Sequence, residues 1–400
     1  MSLLTKSAMV SMLLLFAGHA EAQQQPPIPY WQMLTSNQPA QPLSVVLPTG
    51  MKLTALGVFD IGESYFTSVS NGTNTGSSGS VLRGESGALT VSKIGLKGEQ
   101  PLDSLGLDSL GLGAKFIFDI EAGVDLTRFT GNDPNHFFSR NAWFGVAGNL
   151  GTLTFGRQWN FNDDYLIGSV FTGGYPLSIF RLTEFGELSD LHDNVVKYVT
   201  PAFHGIQAGV YYQFDGDTGV TSLKNKALEF MVSYKLDPVT IGAVYDQQTD
   251  PFGNVISQME SFGASYRVGK LKFRGGFAVN HLTPGNMPYP GGAGPISVLT
   301  PETAAAYLAG IDWNIAPKWV ISGDFVYRDN LTLANNTQIY RLLLDYTLNA
   351  YVDIYAQVAF MTNAAGAAES FYSWGAATYL GSGYADQSQF AAQTGLRFKF

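Results

Sequence analysis

Apolar and polar residues alternate one by one along most of this chain, from Met51 to its last residue. In "LKFRGGFAV", residues 271–279, Leu271 and Phe273 fall on one side of an extended backbone and Lys272 falls on the other. Neighbouring side chains of a β-strand point to opposite faces, so a period of two indicates strands with one apolar and one polar face. Tight turns such as "KLDPVT" and "NIAPKW" alternate with longer Gly-rich loops. The pattern therefore predicts an up-and-down antiparallel meander.

The meander divides into sixteen predicted strands. We place them at residues 51–66, 88–98, 113–125, 138–147, 151–158, 194–202, 205–214, 226–236, 239–247, 256–267, 271–281, 304–315, 318–329, 337–347, 350–362 and 391–400. An even number of strands allows the last to pair with the first and leaves no open edge. Sixteen strands enclose a wide lumen, whereas a barrel of eight is filled by its own side chains.

Charged residues are concentrated on the polar face of these strands, and their number decides between two architectures. A soluble barrel or sandwich would turn its apolar face inward, whereas a membrane barrel turns that face to lipid and its polar face to the lumen. A compact core cannot bury many charges, so the charged face is predicted to line water. The inward residues are Lys93, Lys97, Lys115, Asp119, Glu121, Arg140, Lys197, Glu229, Lys272, Arg274, Asp324, Arg328, Arg341, Asp345 and Asp353. Aromatic residues near strand ends, such as Trp143, Trp313 and Trp319, fit the interfacial girdles of a membrane barrel.

The composition narrows the classes of function. Only 14% of the residues are charged, compared with about 25% in soluble domains, and the net charge is −9. Phosphate binding needs a basic surface, so no nucleic-acid partner is expected. The chain has no cysteine, which excludes disulfides, thiolate metal sites and cysteine nucleophiles. Among the histidines only His192, beside Asp190 and Asp193, is a candidate acid–base group, and no nucleophile elbow accompanies it. We expect no catalytic residue, no metal and no cofactor.

The N-terminal residues are predicted to be an export signal followed by an extension. Residues 1–22 contain Lys6, the apolar run "AMVSMLLLFAG" and the small-residue cleavage site "AEA". No later stretch reaches the roughly 18 apolar residues that a membrane helix needs. The Pro/Gln-rich residues 23–50 favour extended, poorly packed structure, and we expect a disordered tail. The alternative is that Tyr30 and Trp31 dock at one mouth of the barrel and narrow it.

Five segments carry a resemblance to a known family. They are "KIGLKGEQ" (93–100), "GAKFIFDIEAG" (113–123), "SRNAWFGVAGNLGTLTFGRQW" (139–159), "NVVKYVTPAFHGIQAGVYYQF" (194–214) and the terminal "TGLRFKF". In this order they resemble the trimeric general porins of Gram-negative outer membranes, most of all the β-proteobacterial type. The resemblance implies an all-β fold over residues 51–400: a 16-stranded antiparallel transmembrane barrel, assembled as a homotrimer.

The resemblance also implies a third extracellular loop that folds into the lumen as a constriction. Here that loop covers residues 160–193, and its "TEFG" is similar to the family's Pro-Glu-Phe-Gly, with Thr183 in place of proline. The predicted constriction acids are Glu184, Glu187, Asp190 and Asp193, and the predicted bases on the facing wall are Lys93, Arg140 and Lys197. Opposed rows of charge create a transverse field that orients dipolar solutes. Leu191 stands where many relatives have an arginine, so the four acids and the net charge of −9 favour weak cation selectivity.

Arg157 shares the parity of the apolar Leu153 and Phe155 and is therefore expected on the outer face. A lone arginine in lipid costs up to about 2–4 kcal/mol near the bilayer midplane. The resemblance implies a trimer contact, in which Arg157 pairs with an acid from a neighbour's second loop. The alternative is an arginine that reaches the membrane interface with its long side chain.

The chain ends within a strand, on "GLRFKF". Leu396, Phe398 and Phe400 are expected to face lipid, whereas Arg397 and Lys399 are expected to face water. The last strand is predicted to pair with the first near Met51. In the resembled family a terminal aromatic residue is the signal read by the barrel-assembly machinery, and Phe400 matches it.

Together these features predict an outer-membrane porin for the passive diffusion of small hydrophilic solutes and ions. Its expected partners are outer-membrane lipid and lipopolysaccharide, the barrel-assembly machinery and two further copies of itself. Two alternatives stay open. One is a substrate-selective channel on the same barrel, for a sugar, a carboxylate or an amino acid. The other is a structural or adhesive barrel that is plugged by its loops.

Overall fold

A computed structural model describes residues 43–70, 78–109, 111–167, 191–214, 226–250, 252–288, 295–298, 301–373, 378–379 and 386–400. The predicted signal peptide and most of the N-terminal extension lie outside these residues. So do three of the predicted constriction acids, Glu184, Glu187 and Asp190. Within the part of the chain that is described, no helix is long and apolar enough to cross a membrane.

The described residues form a closed antiparallel barrel of sixteen strands, which confirms the predicted fold class. The strands are β1 (Lys52–Ser70), β2 (in two pieces, Ser78–Ser86 and Lys93–Pro101), β3 (Lys115–Asp125), β4 (Ala142–Gly148), β5 (Gly151–Trp159), β6 (Leu191–Val199), β7 (Ile206–Gln213), β8 (Ala227–Leu236), β9 (Val239–Thr249), β10 (Val255–Val268), β11 (Leu271–Leu282), β12 (Glu302–Ala316), β13 (Trp319–Asn330), β14 (Asn335–Thr347), β15 (Val352–Ala364) and β16 (Gln389–Lys399). Each pairs with the next in sequence, and β16 pairs with both β15 and β1.

The two faces of the barrel follow the predicted alternation. On β11 the outward Phe273 is 44% exposed and Phe277 is 42% exposed, whereas the inward Arg274 is 4% exposed. On β16 Leu396 is 42% exposed and lies on the outer face. Outer aromatic rings pack against their neighbours across the strands, as in the stacked pair of Phe144 and Phe155 on β4 and β5. The outer face is therefore apolar and aromatic, as a surface in contact with lipid requires.

The seam of the barrel lies farther along the first strand than predicted. The N–H of Gly57 donates to the Phe400 carbonyl at 3.0 Å, and the C=O of Gly57 accepts from the Phe400 N–H at 3.1 Å, so the chain end lies beside Gly57 rather than Met51. A short strand, Leu43–Val46, pairs instead with Lys52–Ala55. The predicted extension thus contributes a strand whose pairing covers the edge of β1 that β16 does not reach. An unpaired edge invites association with other strands, which explains the arrangement.

The second strand departs most from the prediction. A continuous strand was expected at residues 88–98, but residues 87–92 leave the wall between the two pieces of β2. We call residues 87–92 the inner loop. All six residues are buried on the lumen side of the barrel. The first piece, Ser78–Ser86, was not predicted, because its small residues weaken the alternation.

The connection after β5 turns into the lumen. Residues 162–167 form one π-helical turn, and both Phe161 and Leu166 are completely buried. Glycines on the inner wall make room for these side chains. A Cβ atom at Gly209 would lie 2.3 Å from the Phe161 ring, and one at Gly242 would lie 2.7 Å from Leu166. The start of the predicted third loop therefore lies against the inside of β7–β10, while its residues 168–190 are outside the described part.

Candidate functional site

The inner wall of the barrel is the candidate site, and its charges are paired across neighbouring strands. Lys97 of β2 stands opposite Asp119 of β3, with 3.1 Å between Nζ and Oδ2. Lys93 pairs with Glu121 on the same two strands, at 2.7 Å between Nζ and Oε2. The predicted wall base Arg140 places its guanidinium 4.9 Å from the centre of an aromatic ring, that of Trp159.

A second group of pairs connects β11 to β14. Arg274 donates from Nη2 to Asp312 at 2.9 Å, and Asp324 accepts from Arg341 Nε at 3.0 Å. Asp324 and Arg341 are register partners, as are Lys272 and Asp312. Arg274 Nη2 also lies 3.4 Å from Asp324 Oδ2, so the pairs form one chain of alternating charge. Asp312 was missed by the sequence analysis, although the parity of β12 places it on the inner face.

A third group lies at the seam. Arg397 of β16 stands opposite Asp353 of β15 and donates to it from Nη2 at 2.7 Å, and to Asp345 at 3.2 Å. Lys399 Nζ lies 2.7 Å from the same Asp353. The side chain of Tyr355 donates to Asp60 Oδ1 at 2.6 Å. Asp60 was also missed, although it has the inward parity of the first strand.

The expectation that water surrounds the inward charges is wrong for most of these residues. Arg274 and Arg341 side chains are 0% exposed, and Arg397 is 1% exposed. A buried charge is tolerated when an opposite charge and hydrogen bonds compensate its desolvation. The register of the barrel places such a partner directly opposite Arg341 and Arg397, and it places Asp312 two residues beyond the position opposite Arg274. Alternation alone does not reveal this register.

The base of the third loop is held by the predicted wall base Lys197. Its Nζ donates to the Trp159 carbonyl at 2.9 Å and forms an ion pair with Asp164, a residue of the loop itself. The Glu229 carboxylate accepts the backbone N–H of Phe161 at 2.7 Å. These contacts fix the point at which the loop enters the lumen. The predicted opposition of this wall to Glu184, Glu187 and Asp190 concerns residues outside the described part.

Asp193 is the one predicted constriction acid among the described residues. It belongs to β6, where its carboxylate pairs with Arg157 at 2.8 Å and with His136 Nε2 at 3.0 Å. A β-bulge accounts for this placement. Gly156 of β5 pairs with Val195 of β6, and the register of the two strands shifts by one residue between this pair and the next. Arg157 keeps the outer-face parity that was predicted, but it is only 6% exposed. Its partner acid comes from its own chain, and the trimer contact of Arg157 stays a prediction.

The barrel closure, the apolar exterior and the charged interior define an outer-membrane β-barrel protein. The comparison with known families then identifies it more closely: the chain belongs to the Gram-negative porin family, whose model matches residues 8–366. Members of this family are channel proteins rather than enzymes. The sequence-based assignment to this family is confirmed.

Individual relatives are distant. An outer membrane porin protein of Bordetella pertussis is 27% identical over 177 residues, which cover 41% of this chain and 46% of that protein. Outer membrane porin protein 32 of Delftia acidovorans is 29% identical over 203 residues, which cover 48% of this chain and 55% of that protein. The chain thus spans about half the length of the curated relatives it matches.

A solved structure resembles the whole barrel. The anion-selective porin from Comamonas acidovorans has a TM-score of 0.70 at 21% identity, over 88% of this chain and 100% of that chain. At this identity the likeness establishes the fold alone. The β-proteobacterial sources of these relatives agree with the type that the sequence motifs indicated.

Proposed function

We propose that this protein forms a channel for the passive diffusion of small hydrophilic solutes and ions across the outer membrane. The observation that carries the proposal is a closed barrel of sixteen strands with a charged inner wall and an apolar outer wall. A barrel of this strand number encloses an aqueous channel. Most described charges of the inner wall are paired with other side chains, and we propose that permeation is passive and uses no cofactor.

Assembly and partners are further parts of the proposal. Membership of the family supports a homotrimer, in an outer membrane of phospholipid and lipopolysaccharide. The barrel-assembly machinery is proposed to recognise the C-terminal strand. Phe400 supports this, because its ring packs against Phe59 at 6.0 Å between centroids and its backbone completes the seam.

Weak cation selectivity is the most specific part of the proposal. It is supported by the net charge of −9 and by the acids Glu184, Glu187 and Asp190 on the third loop. The anion-selective name of the Comamonas porin points the other way, but at 21% identity its wall charges do not transfer to this chain. Because the described wall pairs most of its bases with acids, the acids of the loop are expected to decide the sign.

Recording from single channels in a planar bilayer tests the function. We expect an ohmic current that rises linearly with salt and does not saturate. A current that saturates and is blocked by one sugar, carboxylate or amino acid would favour the substrate-selective alternative. A folded protein that inserts without any current would favour the plugged structural barrel.

The reversal potential in a salt gradient tests the ion preference. We expect a potential of the sign that cations produce, and a shift toward anions in the Glu184→Gln/Asp190→Asn double variant. The matched control is Asp103→Asn/Asp237→Asn, which removes two acids from exposed periplasmic turns. A reversal potential that is the same in all three proteins would refute the role of the loop acids.

A further inference from the structure

The inner loop, residues 87–92, is an excursion from the wall rather than a distorted piece of strand. On β1, Val58 pairs with Lys93 and Ile61 pairs with Ser86. Between these two pairs lie six residues of the inner loop on one side but only two residues of β1 on the other. The ends of the excursion meet again, since Ser86 Oγ and Ser92 Oγ are 3.3 Å apart.

The excursion lies across the inner face of the seam. The buried side chains of Ala88 and Leu89 pack against Leu343 of β14 and Tyr355 of β15. Between those strands and β2 lie β16 and β1, so the inner loop spans the inside of this whole sector. Any segment that covers the inner wall reduces the cross-section of the lumen at its level.

Polar contacts fix the inner loop in place. Asp60 Oδ2 accepts the backbone N–H groups of Leu89 at 3.0 Å and of Thr90 at 2.6 Å. Arg397 Nη1 donates to Thr90 Oγ1 at 3.0 Å. Asp60 itself is held by the Tyr355 hydroxyl. A buried carboxylate with three donors is strongly positioned, so the loop is attached at its centre as well as at its ends.

The backbone conformation at the start of the loop is specific to glycine. Gly87 has a φ of +77°, and a Cβ atom there would lie 3.1 Å from Val91 Cα and 3.2 Å from the Thr90 carbonyl oxygen. A positive φ without a side chain lets the chain turn sharply from the wall into the lumen. The excursion is thus encoded by Gly87 at its start and by Asp60 beneath its centre.

We propose that the inner loop is a second narrowing element of the channel and that it limits the size of solute that passes. It is fixed to the inner wall across the seam, over the strands from β14 to β1. This inference rests on the proposed channel function. It assigns size selection to the wall as well as to the third loop. Asp60, Tyr355 and Arg397 then act as positioning residues, which hold the element in place and need not touch the solute.

The decisive variant deletes residues 88–91. Gly87 and Ser92 would remain to span the two positions opposite Phe59 and Asp60, which restores a continuous β2. We expect single-channel conductance to rise by about twofold, because conduction follows the width of the pore. Liposome swelling should show entry of saccharides that are too large for the wild type. The matched control deletes four residues of the β2–β3 turn, 105–108, and should conduct like the wild type.

A second variant covers the case in which the deletion fails to fold. Asp60→Asn with Tyr355→Phe removes the charge and the hydroxyl that hold the inner loop and leaves the chain length unchanged. We expect an intact barrel, judged by heat-dependent migration on a denaturing gel, with open-channel current noise about twice that of the wild type.

The outcomes separate this inference from the proposed function. If the wild type conducts and every folded variant has the same conductance, noise and size limit, the inner loop is not a narrowing element and the channel function stands. If the wild type is silent, the channel function fails. A deletion variant that then conducts would still identify the inner loop as an obstruction, and a silent one would overturn the inference as well.

Discussion

The two halves of the barrel are built differently. From β8 to β15 most strands are joined as hairpins, with two-residue turns at 237–238, 269–270 and 317–318. The register of β10 with β11 is unbroken, and the register shifts in this half lie near strand ends, at 248–249 and 314–316. From β1 to β6 the wall is interrupted by the inner loop, by the entry of the third loop at Phe161 and by the bulge before Val195. The regular half provides the wall, and the irregular half provides the segments that occupy the lumen.

The difference extends to the charges. In the regular half charges are mostly compensated by acids or bases of the wall, as Arg341 is by its register partner Asp324. In the irregular half Lys97 and Asp119 also pair in register, but other charges take their partner from a segment outside the wall. Asp60 accepts backbone N–H groups of the inner loop, and Lys197 pairs with Asp164 of the third loop. Charges in the first set stabilise the wall itself, whereas charges in the second set position what lies inside it.

The largest effect is expected where the two halves join. Deleting Phe400 removes both backbone hydrogen bonds to Gly57 and leaves those groups without a partner close to lipid. Each unsatisfied backbone group in a bilayer costs several kcal/mol. We expect the amount of heat-modifiable barrel in the outer membrane to fall by about tenfold or more. Pores that do form should conduct normally.

The control for this deletion is Phe203→Ala, which removes an aromatic side chain that is 63% exposed in the β6–β7 turn. It should assemble like the wild type. Equal yields of the Phe400 deletion and the wild type would show that closure of the seam does not depend on the last residue.

The next effect concerns the register-paired charges of the regular half. Asp324→Asn leaves Arg341 without its opposite charge in a buried site, and breaking such a pair typically costs about 3–5 kcal/mol. We expect a clear loss of stability in urea-induced unfolding in detergent. Asp324→Asn/Arg341→Gln should recover part of it, because no lone charge remains. Asp237→Asn, at a side chain 82% exposed, should be neutral. If the single variant is as stable as the wild type, Asp312 alone compensates both arginines of this group, Arg274 and Arg341.

The same difference between the two halves explains how much of each could be predicted from the sequence. Alternation in "LKFRGGFAV" and "YVDIYAQVAF" predicted β11, β15 and their inward faces, because a strand flanked by two regular strands has only one choice of face. The departure of the chain from the wall at Gly87 was not predicted, because "GALTVSK" still alternates. The residue that holds the departing segment is Asp60, which is distant in sequence. The burial of Arg397 was missed for a related reason: its partners Asp345 and Asp353 lie on other strands.

A smaller effect is expected where the third loop meets the inner wall. Gly209→Ala and Gly242→Ala place a methyl group within 2.3 and 2.7 Å of Phe161 and Leu166. Overpacking of this kind typically costs about 1–3 kcal/mol. Because the loop is more easily displaced than the wall, we expect altered conductance with an intact barrel. Gly323→Ala, whose nearest atom is 3.7 Å away, is the control. Wild-type conductance in both variants would place the channel's narrowing away from this loop entry.

The smallest effect should come from His136, which connects the β3–β4 loop to β6. Burial lowers its pKa, but the hydrogen bond to Asp133 and the nearby carboxylates of Asp193 and Asp133 outweigh burial and the charge of Arg157, so the pKa lies above its ordinary value of 6.5. A raised pKa in the folded state means that the contact is strongest below pH 6.5 and is lost as the pH rises through the raised value. Amide hydrogen exchange of residues 126–141, corrected for the intrinsic rate, should therefore be slower at pH 6 than at pH 8. His136→Gln should abolish this difference, and a pH dependence that survives the substitution would assign it to another group.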